Sequence, residues 1–297
     1  MKAEISMNDL KIRENEEKNA VLGGVLYLVG TPIGNMADIS ERAIKVLGEV
    51  DFIAAEDTRV SGLMLARLGI KKPLINYFEH NKKEKGDEIA ARLLGGESCA
   101  LVTDAGMPAI SDPGADMVSL CAEKGIPVSV IPGPCAAVTA LALSGLDTRK
   151  FVFEGFLPMP NKQRKEALID IKTEKKTMII YEAPHRLKRT LDELLANLGD
   201  RKIALCRELT KLNEEVIRTS LSGAVKLYEE KDPRGEYVLV IEGANDKTDN
   251  FWLDMSVEEH VEYYLTLGMS KNDAMKAAAK DRGVGKSEIY AQIMKKD

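Results

Sequence analysis

Long apolar runs, histidine and paired cysteines are what this 297-residue chain has least of. No stretch of about 18 apolar residues is present to span a bilayer. The charged first residues lack the apolar centre of a secretory leader, so a cytoplasmic protein with no membrane association is expected. The four cysteines, Cys99, Cys121, Cys135 and Cys206, never fall as a C-x-x-C pair. That argues against a disulfide framework or structural zinc and leaves them as small apolar residues. With three histidines, His80, His185 and His260, a metal centre would have to draw carboxylates from distant segments, and none is expected. Also missing are G-x-x-x-x-G-K-[ST], a G-x-G-x-x-G after the first strand, H-E-x-x-H and G-x-S-x-G. Nucleoside triphosphate hydrolysis, dinucleotide redox, zinc proteolysis and α/β-hydrolase chemistry lose their usual support. A net charge of -5 advertises no general affinity for nucleic acid.

What is present is a set of stiff loops. Thr103 to Gly114 reads TDAGMPAISDPG and follows the apolar run Cys99 to Val102. Glycine permits close backbone approach, proline fixes φ, and Asp or Ser bonds neighbouring amides, so this segment forms a shaped rim of peptide groups. Taken alone it is equally an ordinary strand-to-helix turn. Two more loops tip the balance: GTPIGN, Gly30 to Asn35, after Val25 to Val29, and Pro132-Gly133-Pro134 after Val128 to Ile131. In a parallel sheet all three would lie along one edge and surround one pocket.

Hydrophobic periodicity organises the chain into an extension at 1–22, an α/β domain at 23–146, a second at 147–244 and a helical tail at 251–297, with 243–250 as linker. The first domain alternates strands at Val25 to Val29, Phe52 to Ala55, Leu101 to Thr103 and Val128 to Ile131 with helices. The second places strands at Phe151 to Phe153, Thr177 to Tyr181, Ile203 to Cys206, Val216 to Thr219 and Tyr237 to Ile241, in a mixed sheet. Basic residues cluster locally at Lys162, Arg164 and Lys165, at Lys172, Lys175 and Lys176, and at Arg186, Lys188 and Arg189. They read as a solvated helix surface or as an RNA-facing one. In the tail, Lys and Arg outnumber Asp and Glu from Lys271 onward. Its helix, glycine turn and helix suit a nucleic-acid contact or a small packing bundle equally.

GTPIGN, AEDTR at Ala55 to Arg59, TDAGMPAISDPG, IPGP, YEAPHR at Tyr181 to Arg186, RELTK at Arg207 to Lys211 and GEYVLVIEG at Gly235 to Gly243 occur in that order. Together they closely resemble the bacterial small-subunit ribosomal RNA cytidine 2'-O-methyltransferases, a branch of the tetrapyrrole methylase superfamily. The resemblance covers about Val25 to Gly243. It implies two α/β domains with S-adenosylmethionine in the cleft between them, a small C-terminal helical segment, a homodimer, and as substrate the small-subunit RNA within an assembled subunit. Carried over by motif, the cofactor would touch Ile33 in the first loop. Gly106, Met107, Pro108, Ile110 and Ser111 would follow in the long loop, with Cys135 and Ala136 after the PGP turn. Tyr181, Ala183, Leu209 and Thr210 are the matching positions in the second domain.

The implied reaction is in-line methyl transfer to a ribose 2'-oxygen in the decoding region, which a positioned base would assist. Asp57 is the first candidate and Glu56 the second, with Arg59 pairing with one of them or gripping a phosphate. Asp57 reads as well as a helix cap with Arg59 as its ion-pair partner. RNA contacts are expected from Lys162, Arg164, Lys165, His185 and Arg186, although His185 and Arg186 would equally brace the helix that they begin. His80-Asn81, after Tyr77-Phe78, is a weaker aromatic-polar edge. The sequence departs from the family wording at Thr103 and Ala183, where serine is usual, and at Asn213, where histidine is frequent; an amide cannot replace that histidine as a base. The competing readings are a sister enzyme methylating a tetrapyrrole carbon and a non-catalytic ribosome-assembly factor.

Overall fold

A computed structural model of the chain describes residues 20–244, 252, 255–266 and 268–294. Most of the expected 1–22 extension and 243–250 linker lies outside these residues. Among the described residues no helix is long and apolar enough to cross a membrane.

The first sheet contains β1 (Leu26–Val29), β2 (Phe52–Ala55), β3 (Leu74–Asn76), β4 (Cys99–Val102) and β5 (Val128–Ile131), all parallel in the order β3-β2-β4-β1-β5. A parallel strand covered on both faces must be apolar throughout, and β2 and β4 are buried at every residue. Successive residues serve opposite cores. Tyr27, Val29, Ile53, Ala55 and Val102 pack with α1 (Glu41–Glu49) and with Leu65 of α2 (Thr58–Arg67). Leu26, Phe52, Ala54, Cys99 and Leu101 pack with α3 (Lys82–Leu94) and α4 (Gly114–Lys124). The three-residue β3 was not expected from the sequence, being too short and too exposed to carry a pattern.

The second sheet is mixed, with β6 (Phe151–Phe156), β7 (Thr177–Glu182), β8 (Lys202–Arg207), β9 (Glu215–Ser220) and β10 (Tyr237–Ile241) in the order β6-β7-β10-β8-β9. Only β6 and β7 run parallel. One face is covered by α6 (Asn161–Asp170), α7 (Pro184–Leu198) and α8 (Leu221–Glu230), through Leu168, Leu187, Leu191, Leu194 and Leu221. The other face receives α5 (Ala136–Ser144). Its sequence AAVTALALS has no charged side, so it favours burial on more than one side. The chain enters α5 from β5 of the first sheet, yet Ala137, Ala140 and Leu141 pack against Ile179, Ala204, Cys206, Val238 and Val240 of the second.

At the entrance to α5 two glycines touch. A Cβ on Gly133 would stand 2.8 Å from Gly30 Cα, and one on Gly30 would stand 2.6 Å from Gly133 Cα. Backbone meets backbone there, so no side chain can swing aside.

Residues Ala244–Asp297 form a separate compact unit. Its α9 (Val257–Thr266), α10 (Lys271–Arg282) and α11 (Lys286–Met294) share a core of Val261, Ala274, Met275, Ala278 and Ile289. The fully buried His260 sits beside that core, its Nε2 3.2 Å from Asp281 Oδ2 and its Nδ1 accepting from Arg282 Nε at 3.1 Å. Burial and then the Arg282 charge lower its pKa, against a smaller opposing pull from Asp281.

Two outcomes follow for stability. Gly133→Ala is expected to lower stability by about 1–3 kcal/mol, seen as a lower urea midpoint at unchanged m. For His260, a folded pKa below the unfolded one means that its contribution is present above the ordinary imidazole value of about 6.5 and is lost as pH falls below it. Amide exchange in α9 and α10, corrected for intrinsic rates, should therefore accelerate on acidification, and a His260→Gln chain should lack that pH dependence.

Candidate active site

The three loops meet as the parallel sheet requires. Thr31 N donates to Gly106 O at 2.9 Å and Gly106 N returns to Thr31 O at 3.1 Å, joining the loop after β1 to the long loop after β4. Gly133 N donates to Met107 Sδ at 3.2 Å, tying in the loop after β5. The long loop is held open by Asp112, whose carboxylate accepts from Ala109 N at 3.0 Å, Ile110 N at 3.2 Å and Gly114 N at 2.7 Å. Among the described residues, the non-glycine positions with positive φ are Ala109, Ser111, Glu208 and Thr210. They fall in this loop and in the β8–β9 loop that faces it. Backbone strain concentrated at one place marks a site whose shape is over-determined by its surroundings.

Between the two sheets these loops enclose a cleft of about 530 Å3. Ile33, Gly106, Met107, Ile110, Ser111, Cys135, Ala136, Tyr181, Ala183 and Leu209, the positions expected at the cofactor, line it. Pro108 and Thr210 do not. Thr210 N bonds Glu214 Oε2 at 2.7 Å, and its hydroxyl is packed beneath Gly34, where an added Cβ would come within 2.9 Å. Tyr181 is fixed from three sides: its hydroxyl accepts from Ala137 N at 3.1 Å, and Phe153 and Phe156 meet its ring edge-on at 4.9 and 5.5 Å. Burial pushes its phenol up to about 12, so it stays neutral. An apolar slot of this size with carboxylates in its wall fits S-adenosylmethionine, which has an apolar methionine chain, an adenosine and a cationic sulfur.

Strand register explains the polar end. Ala55 pairs with Val102, so the next residues, Glu56 and Thr103, emerge side by side, and Asp57 emerges beside Asp104. Thr103 Oγ1 donates to Glu56 Oε2 at 2.8 Å, and Asp57 N donates to Asp104 Oδ1 at 3.1 Å. Glu56 and Asp104 line the cleft, whereas Asp57 and Arg59 do not. Asp57 caps α2 through Arg59 N and grips the Arg59 guanidinium with both oxygens, at 3.0 and 2.6 Å. The guanidinium and amide bonds hold its carboxyl down at about 2, which makes it a poor base. The first-choice catalytic residue is therefore a structural cap. Asp104, the second residue of TDAGMPAISDPG, has a carboxyl raised by burial and then by the Glu56 charge. Only the pairing of β2 with β4 reveals it.

The basic clusters divide. Lys162, Lys165 and His185 are exposed. Arg164 is not an RNA contact: it is 3% exposed, with Nε 2.5 Å from Glu193 Oε2 and Nη2 2.6 Å from Thr190 Oγ1. Arg186 is likewise committed, its Nε 2.9 Å from the buried Glu182 and its Nη2 donating to Leu157 O at 2.8 Å. Ala183 N and Thr190 Oγ1 supply the remaining partners of Glu182. A buried ion pair satisfied this fully fixes geometry, and removing one member would strand the other.

The model of the tetrapyrrole (corrin/porphyrin) methylases matches residues 25–225. The ribosomal RNA small subunit methyltransferase I of Halalkalibacterium halodurans is 49% identical over 270 residues, which are 90% of this chain and 93% of that protein. The Bacillus subtilis protein of the same name is 46% identical over 271 residues, with 90% and 93% covered. Among solved structures, uroporphyrin-III-C-methyltransferase from Thermus thermophilus superposes with a TM-score of 0.54 at 22% identity, over 74% of this chain and 94% of that one. At that identity it shares the fold.

Asp112 offers a test of loop shape separate from chemistry. Asp112→Ala removes all three loop bonds and should weaken S-adenosylmethionine binding by roughly 10-fold or more, by titration calorimetry. Asp112→Asn keeps one acceptor oxygen, able to serve Ala109 and Gly114, and should lie between this variant and the parent.

Proposed function

The chain belongs to the tetrapyrrole (corrin/porphyrin) methylase family, and from that premise we propose that it methylates small-subunit ribosomal RNA at the 2'-oxygen of a cytidine. The relatives named for that RNA support the substrate, and the motif resemblance supports the cytidine ribose in the decoding region. The same reading takes the protein as a cytoplasmic homodimer acting on an assembled subunit. S-adenosylmethionine supplies an electrophilic methyl group on sulfur and needs no metal. The residues that line the cleft, Ile33, Gly106, Met107, Ile110, Ser111, Cys135, Ala136, Tyr181, Ala183 and Leu209, would hold it by apolar contact and main chain.

The observation that carries the acceptor chemistry is the pair of neighbouring carboxylates Glu56 and Asp104, which strand register sets side by side in the wall of the cleft. A ribose hydroxyl is a poor nucleophile until its proton leaves. Asp104 spends Oδ1 on the Asp57 amide, so Oδ2 is the atom that takes this proton. Its raised pKa brings it nearer the operating pH than Asp57, as a general base requires. Thr103 holds Glu56 in place, and the Glu56 charge contributes to that rise. Lys162, Lys165 and His185 remain as candidate RNA contacts on α6 and α7.

Labelled S-adenosylmethionine incubated with unmodified small subunits, followed by nucleoside analysis, should yield 2'-O-methylcytidine. Transfer only to a porphyrinoid would move the protein to the tetrapyrrole branch, and cofactor binding without any transfer would favour an assembly factor. Asp104→Asn should lower kcat by roughly 100-fold or more at unchanged cofactor affinity, while Asp57→Asn, still a helix cap, stays active. Glu56→Gln removes a like charge, so the acid limb of kcat/KM should move to lower pH. Loss of turnover in Asp57→Asn with retention in Asp104→Asn would reverse this assignment.

A further inference from the structure

An irregularity in β6 turns one aromatic ring towards the cleft. Phe153 pairs with Ile179, Gly155 with Ile180 and Phe156 with Tyr181, so Glu154 is an extra residue against β7. In a regular strand, residues three apart face opposite sides of the sheet. The bulge cancels that inversion and puts Phe156 on the same face as Phe153 and Tyr181, the face that meets the cleft. Gly155 makes the bulge possible: its φ is +63°, and a Cβ there would stand 3.0 Å from Ser111 Oγ of the long loop. The result is an aromatic side chain 51% exposed in a binding cleft, in a chain with 5% aromatic residues.

The ring is also held. Tyr181 meets it edge-on from inside, and Arg186 bonds the carbonyl of Leu157, the next residue. This gives the buried Glu182–Arg186 pair a purpose the sequence did not suggest, since it stiffens the segment that carries Phe156. Five residues further on, α6 begins with the exposed Lys162 and Lys165. A rigid, half-exposed ring followed at once by lysines matches the way single-stranded RNA is gripped, with a base stacked on the ring and neighbouring phosphates on cations. The backbone loops after β1, β4 and β5 supply the cofactor wall, and the ring lies outside them on an edge strand.

We infer that Phe156 is the platform on which the base of the acceptor nucleotide stacks, an inference that rests on the RNA-methylating function proposed above. Stacking there would help hold the ribose beside Asp104 in the same cleft.

The test compares Phe156→Ala, Phe156→Leu and Phe156→Trp with the parent, reading kcat and KM on small subunits and S-adenosylmethionine affinity by calorimetry. Phe156→Ala and Phe156→Leu should lower kcat/KM for subunits by roughly 5- to 150-fold, the span of one base–aromatic contact, and Phe156→Trp should retain it within about threefold. Cofactor affinity should stay within about twofold in all three. The inference is overturned if Phe156→Ala equals the parent on subunits, or if Phe156→Leu performs as well as Phe156→Trp. A parallel loss of cofactor affinity would assign the ring to the cofactor and overturn it as well. Inactivity of the unsubstituted protein on subunits is a separate result, which refutes the parent reading and this inference with it.

Discussion

The packing of α5 is the constraint on which the rest depends. The helix emerges from the first sheet through the Gly30–Gly133 contact and is buried in the second sheet, so neither half can shift without opening a packed core. A close-packed interior does not deform gradually. The cleft between the sheets is therefore set at a fixed width, and the loops around it accept positive φ at Ala109, Ser111, Glu208 and Thr210 because the core holds their ends.

Element type was readable wherever a run was long or fully apolar. The bounds of β2, β5 and β10 came out as expected because each is a short apolar run between turn residues. The long loops were readable because Gly, Pro and Asp restrict the backbone by themselves. What escaped was whatever depends on which strand lies beside which. Asp104 is an unremarkable aspartate until β2 and β4 are seen to be neighbours, and Phe156 follows a strand pattern that the bulge at Glu154 inverts. Arg164 shows the opposite failure: it reads as one of three clustered cations and is instead the buried partner of Glu193. A helical pattern of charges does not say which of them faces inward when a partner waits inside.

Charge in this protein does two kinds of work, separated by what each carboxylate is bonded to. Asp57 with Arg59 and Glu182 with Arg186 are closed on themselves, one fixing a helix start and the other a loop. Their pairing leaves no acceptor for an incoming proton. Glu56 and Asp104 are instead held by a hydroxyl and an amide, which orient them without the direct guanidinium contact that Asp57 and Glu182 have. The Glu56 charge raises the Asp104 carboxyl, and the more distant Arg59 only partly offsets it; neighbouring like charges are an unfavourable arrangement for folding, and that cost is the kind expected at a chemical site.

The cleft is thus built in two different materials. Its cofactor side is mainly backbone and apolar surface, whose form follows from the fold. That side is compatible with many side chains, so one fold can serve methyltransferases with dissimilar acceptors. The side proposed for the acceptor consists of particular side chains: two carboxylates placed by strand register, a ring placed by a bulge, and lysines at the start of the following helix. Register and bulge are local features that a sheet can change without altering its topology. On the function proposed above, the ends of β2, β4 and β6 are therefore where this chain would meet its acceptor, because register and bulge, rather than sheet order, place the side chains there.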